Sequence, residues 1–126
     1  MRVLLADDQE KVCSALRLLL GQRLELDVVG EVAEAQGLLA EIKKARPDLL
    51  LLDWELPGLS ANGHFSTLRA RYPHLKVIAL SGRPDTRRAA LDAGADAFVC
   101  KGDPPERLLG ALHNILKAKQ KGELDA

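Results

Sequence analysis

Five short apolar stretches recur along the chain, at residues 3–6, 26–32, 49–52, 77–80 and 97–100. The second is interrupted by Asp27 and Gly30, whereas the others are almost continuously hydrophobic. Such short continuous runs are typical of strands buried on both faces, because a half-exposed strand alternates apolar and polar side chains. The pattern therefore predicts five strands of a buried parallel sheet.

The segments between these strands have the periodicity of amphipathic helices. After the first strand, the residues that recur at the spacing of one helical face are Val12, Ala15, Leu16, Leu19 and Leu20. Gly21 follows and is suited to end that helix. Similar patterns predict helices from residue 35 to the Arg46-Pro47 pair, over 63–72 and over 84–94.

The fifth predicted helix has the clearest start signal. Asp103 can cap it, Pro104 suits its first turn, and Glu106 lies three residues after the cap. Its periodic pattern stops near residue 117, and residues 118–126 are mostly polar. We therefore expect one domain over residues 1–117, followed by a polar tail or the start of a linker over 118–126.

Strands that alternate with helices favour an α/β fold with a parallel sheet. Because crossovers between parallel strands are right-handed, few topologies remain. We expect a doubly wound three-layer sandwich of the flavodoxin-like type, with a five-stranded parallel sheet of order 2-1-3-4-5.

The composition narrows the class of protein. Of the 126 residues, 47% are hydrophobic and 29% charged, which is ordinary for one folded domain. Lys and Arg number 18, as do Asp and Glu, so no net charge attracts the chain to nucleic acid or to an anionic membrane. No apolar run approaches the roughly 18 residues that span a bilayer. These features, with two widely separated cysteines expected to be buried thiols (Cys13 and Cys100), predict a cytoplasmic protein.

Polar residues follow four of the five predicted strands. Asp7 and Asp8 follow the first, Asp53 the third, Ser81 the fourth and Lys101 the fifth. Ligands of open parallel sheets bind at the carboxyl ends of the strands, so these side chains should share one edge. Three carboxylates together repel one another unless a cation lies among them, and a hard divalent ion such as Mg²⁺ or Mn²⁺ suits them.

Each of these residues also has an ordinary structural interpretation. Asp8 could cap the next helix, Ser81 could begin a turn, and Lys101 could be a solvated charge at a strand end. Convergence of all of them on one edge favours a site. The chain has neither the G-x-G-x-x-G nor the G-x-x-x-x-G-K-[ST] signature, so we expect the site to take a metal and a single phosphoryl group. An aspartate can accept such a group as an aspartyl-phosphate.

These residues lie in segments that match a known family. The stretches "LLADDQE", "PDLLLLDWELPG", "VIALSG" and "GADAFVCKGDPPE" occur in the order found in the receiver domain of two-component response regulators. The chain resembles that domain over residues 1–117. The resemblance implies a switch that is phosphorylated by a histidine kinase or a phosphotransfer protein, without being an enzyme beyond its own phosphorylation and dephosphorylation.

The resemblance also implies roles for the acidic residues. Asp53 would accept the phosphoryl group. Asp8, Asp53 and the backbone carbonyl of Glu55 would bind Mg²⁺ directly, and Asp7 would bind it through water.

The remaining residues would form the switch. Ser81 and Lys101 would each contact a phosphoryl oxygen, and Phe98 would turn inward when Ser81 moves, although it could equally be an ordinary core residue. The surface formed by the fourth helix, the fifth strand and the fifth helix would then engage an output domain, a partner or a second copy of the chain. No direct contact of this segment with nucleic acid or membrane is expected.

The chain departs from the commonest family pattern at several positions. Lys101 is followed by Gly102 where many members have proline. This variant, with "VVGEVAEAQ" and "GDPPERLLGAL", resembles the subfamily that carries a LuxR-type helix-turn-helix output domain. No such domain follows in this sequence. We therefore expect either the isolated receiver portion of a longer regulator or a stand-alone receiver. The loop "PGLSANG" after Asp53 is longer than usual, which leaves its shape open.

Two other classes of protein remain as alternatives. A haloacid-dehalogenase-like phosphatase also uses an aspartyl-phosphate, Mg²⁺ and a lysine, but its D-x-D pattern is missing at Asp7-Asp8-Gln9-Glu10. A receiver-like interaction module that takes no phosphoryl group is the other alternative, and the complete acidic set argues against it.

Overall fold

The structure, a computed structural model, describes residues 1–60 and 63–125, and the side chains of residues 1–60 and 63–118. Within these residues the strands are β1 (Arg2–Ala6), β2 (Asp27–Val32), β3 (Leu49–Asp53), β4 (Lys76–Ser81) and β5 (Ala97–Cys100). The helices are α1 (Glu10–Leu20), α2 (Leu38–Ala45), α3 (His64–Arg71), α4 (Arg87–Ala93) and α5 (Pro105–Asp125).

All neighbouring strands are parallel, and their order is β2-β1-β3-β4-β5, as predicted. The order reverses direction between β1 and β3, which is where such sheets open a crevice for ligands. Ala6 pairs with Leu52, and Asp53 pairs with Leu80. The carboxyl ends of β1, β3 and β4 therefore lie side by side.

Two apolar clusters cover the two faces of the sheet, and β3 shows why. Leu50 and Leu52 point into one cluster and Leu49 and Leu51 into the other, and all four are at most 1% exposed. Full burial of a leucine contributes about 1.5–3 kcal/mol. A continuous run of leucines is therefore stable only where both faces of the strand are covered.

Helix boundaries differ from the predictions by short distances. A 3₁₀ turn precedes α2 (Ala35–Gly37), and another precedes α4 (Pro84–Thr86), so each α-helix begins later than predicted. Helix α5 begins at Pro105, one residue after the predicted first turn.

Helix α5 also continues to Asp125, through the segment expected to be a tail. Residues 117–125 lack an apolar stripe but are rich in good helix formers, and a helix can continue on backbone hydrogen bonds alone. The end of the domain near residue 117 remains a prediction. In the loop after β3, whose shape the sequence left open, residues 61 and 62 lie outside the described residues.

Cys13 is buried as predicted, whereas Cys100 is only half-buried. Burial raises the pKa of the Cys13 thiol to about 11, with a further contribution from Glu31. Among the described residues, no helix is long and apolar enough to cross a membrane.

Candidate functional site

Three aspartates meet at the carboxyl end of the sheet. Asp7 and Asp8 directly follow β1, and Asp53 is the last residue of β3. One carboxylate oxygen from each lies within 4.8 Å of the others. Asp7 and Asp53 are buried at 4% and 2% exposure, and Asp8 is exposed.

Asp7 and Asp53 are held by the same local turn. Oδ1 of Asp7 accepts a hydrogen bond from the backbone N–H of Gln9 at 2.8 Å, and Oδ1 of Asp53 accepts one from Glu55 at 3.0 Å. Bonds of this kind to a residue two positions on are typical of aspartate at the start of a turn. They fix one oxygen of each carboxylate and leave Oδ2 of each directed towards Lys101.

Lys101 lies among these oxygens, although it follows β5 at the far edge of the sheet. Its Nζ is 2.8 Å from Oδ2 of Asp7 and 3.3 Å from Oδ2 of Asp53, and it donates a hydrogen bond to Oε1 of Gln9 at 2.9 Å. Sequence reasoning missed Gln9, whose position after the aspartate pair was its only signal. The backbone of Lys101 is fixed by its N–H, which donates to the Ser81 carbonyl at 2.8 Å.

Burial and neighbouring charges have opposing effects on the pKa values of Asp53 and Lys101. Burial raises the pKa of Asp53, and the charge of Asp7 adds to this, against the opposing effects of the Glu55 N–H and Lys101. Burial by itself lowers the pKa of Lys101, but contact with Asp7 and the negative charge of Asp53 outweigh it and raise the pKa. The ammonium therefore stays charged, and ionised Asp53 is stabilised less than it would be in water.

The residues present fit a hard divalent cation. Oδ2 of Asp7 is buried and lies 2.8 Å from the ammonium of Lys101, so a positive charge is already accommodated beside this oxygen. Carboxylate and carbonyl oxygens are the ligands that Mg²⁺ and Mn²⁺ prefer. Asp8 is exposed beside the two buried carboxylates and leaves an open approach for a hydrated ion.

Ser81 ends β4 and is fully buried. Its hydroxyl donates to the carboxylate of Glu55, at 2.7 Å from Oε1 and 2.8 Å from Oε2. The Ser81 hydroxyl also accepts a hydrogen bond from the backbone N–H of Arg83 at 2.9 Å. The sequence did not indicate the Glu55 side chain as a partner of Ser81, because the two residues are 26 positions apart.

Phe98 lies on β5 and is 8% exposed, within the apolar cluster that includes Ala79 of β4 and Ala90 of α4. The aromatic side chain is therefore directed inward in this structure. Its predicted role as a switch remains a prediction, since burial is also what an ordinary core phenylalanine shows.

A family model of the response regulator receiver domain matches residues 3–113 of this chain. The chain belongs to this family. The fold and the family expected from the sequence are thus confirmed.

Relatives of this receiver domain regulate transcription. It is 33% identical over 118 residues to the transcriptional activator protein ExaE of Pseudomonas putida, covering 92% of this chain and 55% of ExaE. A LuxR-family two-component response regulator from Aurantimonas sp. SI85-9A1 matches with a TM-score of 0.84 at 26% identity, over 93% of this chain and 85% of that one. The LuxR-type relationship is therefore also confirmed.

The isolated REC domain of RcsB from Salmonella enterica serovar Typhimurium, whose structure was determined with the phosphomimetic BeF₃⁻, gives a TM-score of 0.84 at 28% identity. That match covers 93% of this chain and 88% of the RcsB domain. The receiver domain spans about half the length of the curated relatives it matches, such as ExaE at 55%. What those whole proteins do is therefore known of them and is not transferred to this domain.

Proposed function

We propose that this receiver domain is a phosphorylation-operated switch in which Asp53 accepts a phosphoryl group from a histidine kinase or a phosphotransfer protein. The observation that carries the proposal is the position of Asp53, a buried carboxylate beside Asp7, Asp8 and the ammonium of Lys101. Two buried acids beside one lysine are costly for stability alone, because burial disfavours the charged form of a carboxyl group. A carboxylate whose pKa is raised by burial, as that of Asp53 is, is common at functional sites.

Phosphoryl transfer depends mainly on positioning the reacting groups and neutralising the charge of the phosphoryl oxygens. A carboxylate oxygen of Asp53 attacks phosphorus, the P–N bond to the donor imidazole breaks, and the imidazole takes a proton from solvent. The Glu55 N–H orients the Asp53 carboxylate, and Lys101 offsets the charge that the phosphoryl oxygens bring. Asp8, Asp53 and the backbone carbonyl of Glu55 would hold Mg²⁺, with Asp7 acting through water; when bound, the ion would supply further positive charge.

Phosphorylation would change the surface through β4 and β5. The acyl phosphate adds acceptor oxygens that Ser81 and Lys101 can contact only in one arrangement of these strands. Binding one state better shifts a two-state equilibrium towards it. The responding surface would be α4, β5 and α5, with Phe98 packed beneath it, and it would engage an output domain, a partner or a second copy of the domain.

Intact mass measured after incubation with Mg²⁺ and acetyl phosphate tests this function. We expect a labile adduct on Asp53 that is absent from Asp53→Ala. An adduct on Asp7 with rapid turnover of phosphoesters would indicate a phosphatase instead. Absence of any adduct, together with absence of Mg²⁺ binding, would leave only an interaction module.

A further inference from the structure

The single proton of the Ser81 hydroxyl already has an acceptor in the unphosphorylated domain. A serine hydroxyl has one proton to donate and two lone pairs that accept. The proton goes to Glu55, with Oε1 at 2.7 Å and Oε2 at 2.8 Å. One lone pair accepts the N–H of Arg83 at 2.9 Å. The Thr86 hydroxyl lies 3.1 Å away, but its single proton is closer to the Arg83 carbonyl at 2.7 Å.

A phosphoryl oxygen accepts hydrogen bonds and has none to donate. It can therefore bond to Ser81 only by accepting the hydroxyl proton that Ser81 now donates to Glu55. The alternative acceptor, the carbonyl of Arg83, is more distant at 3.3 Å and already accepts from the Thr86 hydroxyl at 2.7 Å.

We infer that the Glu55 carboxylate is the resident acceptor for Ser81, and that it must release this hydroxyl before Ser81 can bond to a phosphoryl group on Asp53. The inference rests on the proposed function, because it concerns how that site reports phosphorylation. Glu55 acts through Ser81 and is a positioning residue.

Breaking the hydrogen bond between Ser81 and Glu55 has a different consequence for each residue. Ser81 is fully buried, so its proton needs an acceptor from the protein or from the phosphoryl group. Glu55 is exposed, so its carboxylate is rehydrated when it leaves. The hydroxyl therefore alternates between two anionic acceptors and is not left unbonded in either state.

The contact also determines the position of the loop before α4. The backbone of Arg83 donates to the Ser81 hydroxyl, and the Thr86 hydroxyl donates to the Arg83 carbonyl. The orientation of Ser81 is therefore transmitted to residues 82–86, which lead into α4. Glu55 thereby holds this loop in a defined arrangement before any phosphoryl group arrives.

The first test uses metal-free, unphosphorylated protein. Amide chemical shifts of residues 81–83 and 85–87 are compared among wild type, Glu55→Ala and Glu55→Gln. We expect large shifts in Glu55→Ala and small ones in Glu55→Gln, whose amide oxygen can still accept the proton. Unchanged shifts in Glu55→Ala would overturn the inference.

The second test is a double-mutant cycle with Ser81→Ala, read as the affinity for beryllofluoride in the presence of Mg²⁺. Removal of a competing charged hydrogen bond should tighten binding in Glu55→Ala by about ten-fold. In the Ser81→Ala background the same change should have little effect, because there is no hydroxyl to release. An equal gain in both backgrounds would mean that Glu55 acts only through its charge, and would overturn the inference.

Failure of the proposed function gives a different result. In that case beryllofluoride would bind to none of the variants, including wild type. The metal-free amide shifts would still report whether Glu55 holds Ser81. Circular dichroism of each variant establishes that it is folded.

Discussion

Lys101 and Asp7 form an ion pair of 2.8 Å, although they follow strands at different positions in the sheet. Lys101 follows β5 and Asp7 follows β1, and β3 and β4 lie between these strands. The lysine side chain thus reaches across two strands to the acidic cluster, and only 18% of it is exposed. This pair links the far edge of the sheet to its centre.

Lys101→Ala should destabilise the metal-free domain. The change leaves the buried carboxylates of Asp7 and Asp53 without their cation, and removing one partner of a buried pair costs about 3–5 kcal/mol where burial is complete. Because 18% of the Lys101 side chain is exposed, we expect a smaller loss of about 2 kcal/mol in the free energy of unfolding. Urea unfolding measures this loss. Lys44→Ala, which removes an exposed lysine of α2, should change stability by less than about 0.5 kcal/mol. Equal losses in the two variants would contradict the role of the pair.

Asp53→Asn should stabilise the metal-free domain near neutral pH. The pKa of Asp53 is raised in the folded state, so folded protein binds this proton more tightly than unfolded protein does. Stability from this group is therefore greatest at low pH and falls as pH rises through the folded pKa. Asparagine cannot ionise, so Asp53→Asn removes the free-energy cost of burying an ionised carboxylate and the pH dependence of that cost.

Urea unfolding of wild type and Asp53→Asn from acidic to neutral pH measures this difference. Asp92→Asn, at an exposed position of α4, is the matched control and should follow wild type. The prediction fails if the gap between wild type and Asp53→Asn does not widen as pH rises.

Added Mg²⁺ should stabilise the domain through Asp8. Binding to the folded state alone contributes about 1.4 kcal/mol when the ion is at ten times its dissociation constant. Asp8→Asn should remove most of this gain while changing the metal-free stability little, because Asp8 is exposed. Thermal melts with and without Mg²⁺ test the prediction, with Asp27→Asn at the opposite end of the sheet as the control. A full Mg²⁺ effect in Asp8→Asn would rule out direct binding by this residue.

Ser81→Ala should still accept a phosphoryl group but respond to it weakly. The chemistry lies on Asp53, whereas Ser81 lies one residue beyond the Leu80 that pairs with it. Intact mass should show the adduct, and amide shifts of α4 and β5 should change less than in wild type. A wild-type response of α4 and β5 in Ser81→Ala would show that the switch does not use this hydroxyl.

The sequence alone predicted where the site would form. Short continuous apolar runs predict buried parallel strands, and parallel strands place their carboxyl ends on one edge. The positions of Asp7, Asp53, Ser81 and Lys101 at that edge therefore follow from local pattern and topology. The same reasoning placed Phe98 on β5, and the structure shows it buried.

Only the tertiary structure decided which of these groups bond to one another. The contact between Glu55 and Ser81 joins residues 26 positions apart, and that between Lys101 and Gln9 joins residues 92 apart. Such contacts depend on strand register, turn geometry and side-chain rotamers, which no periodicity in the sequence encodes. The helical continuation of α5 to Asp125 escaped prediction for a related reason: backbone hydrogen bonds can extend a helix where the apolar pattern has ended.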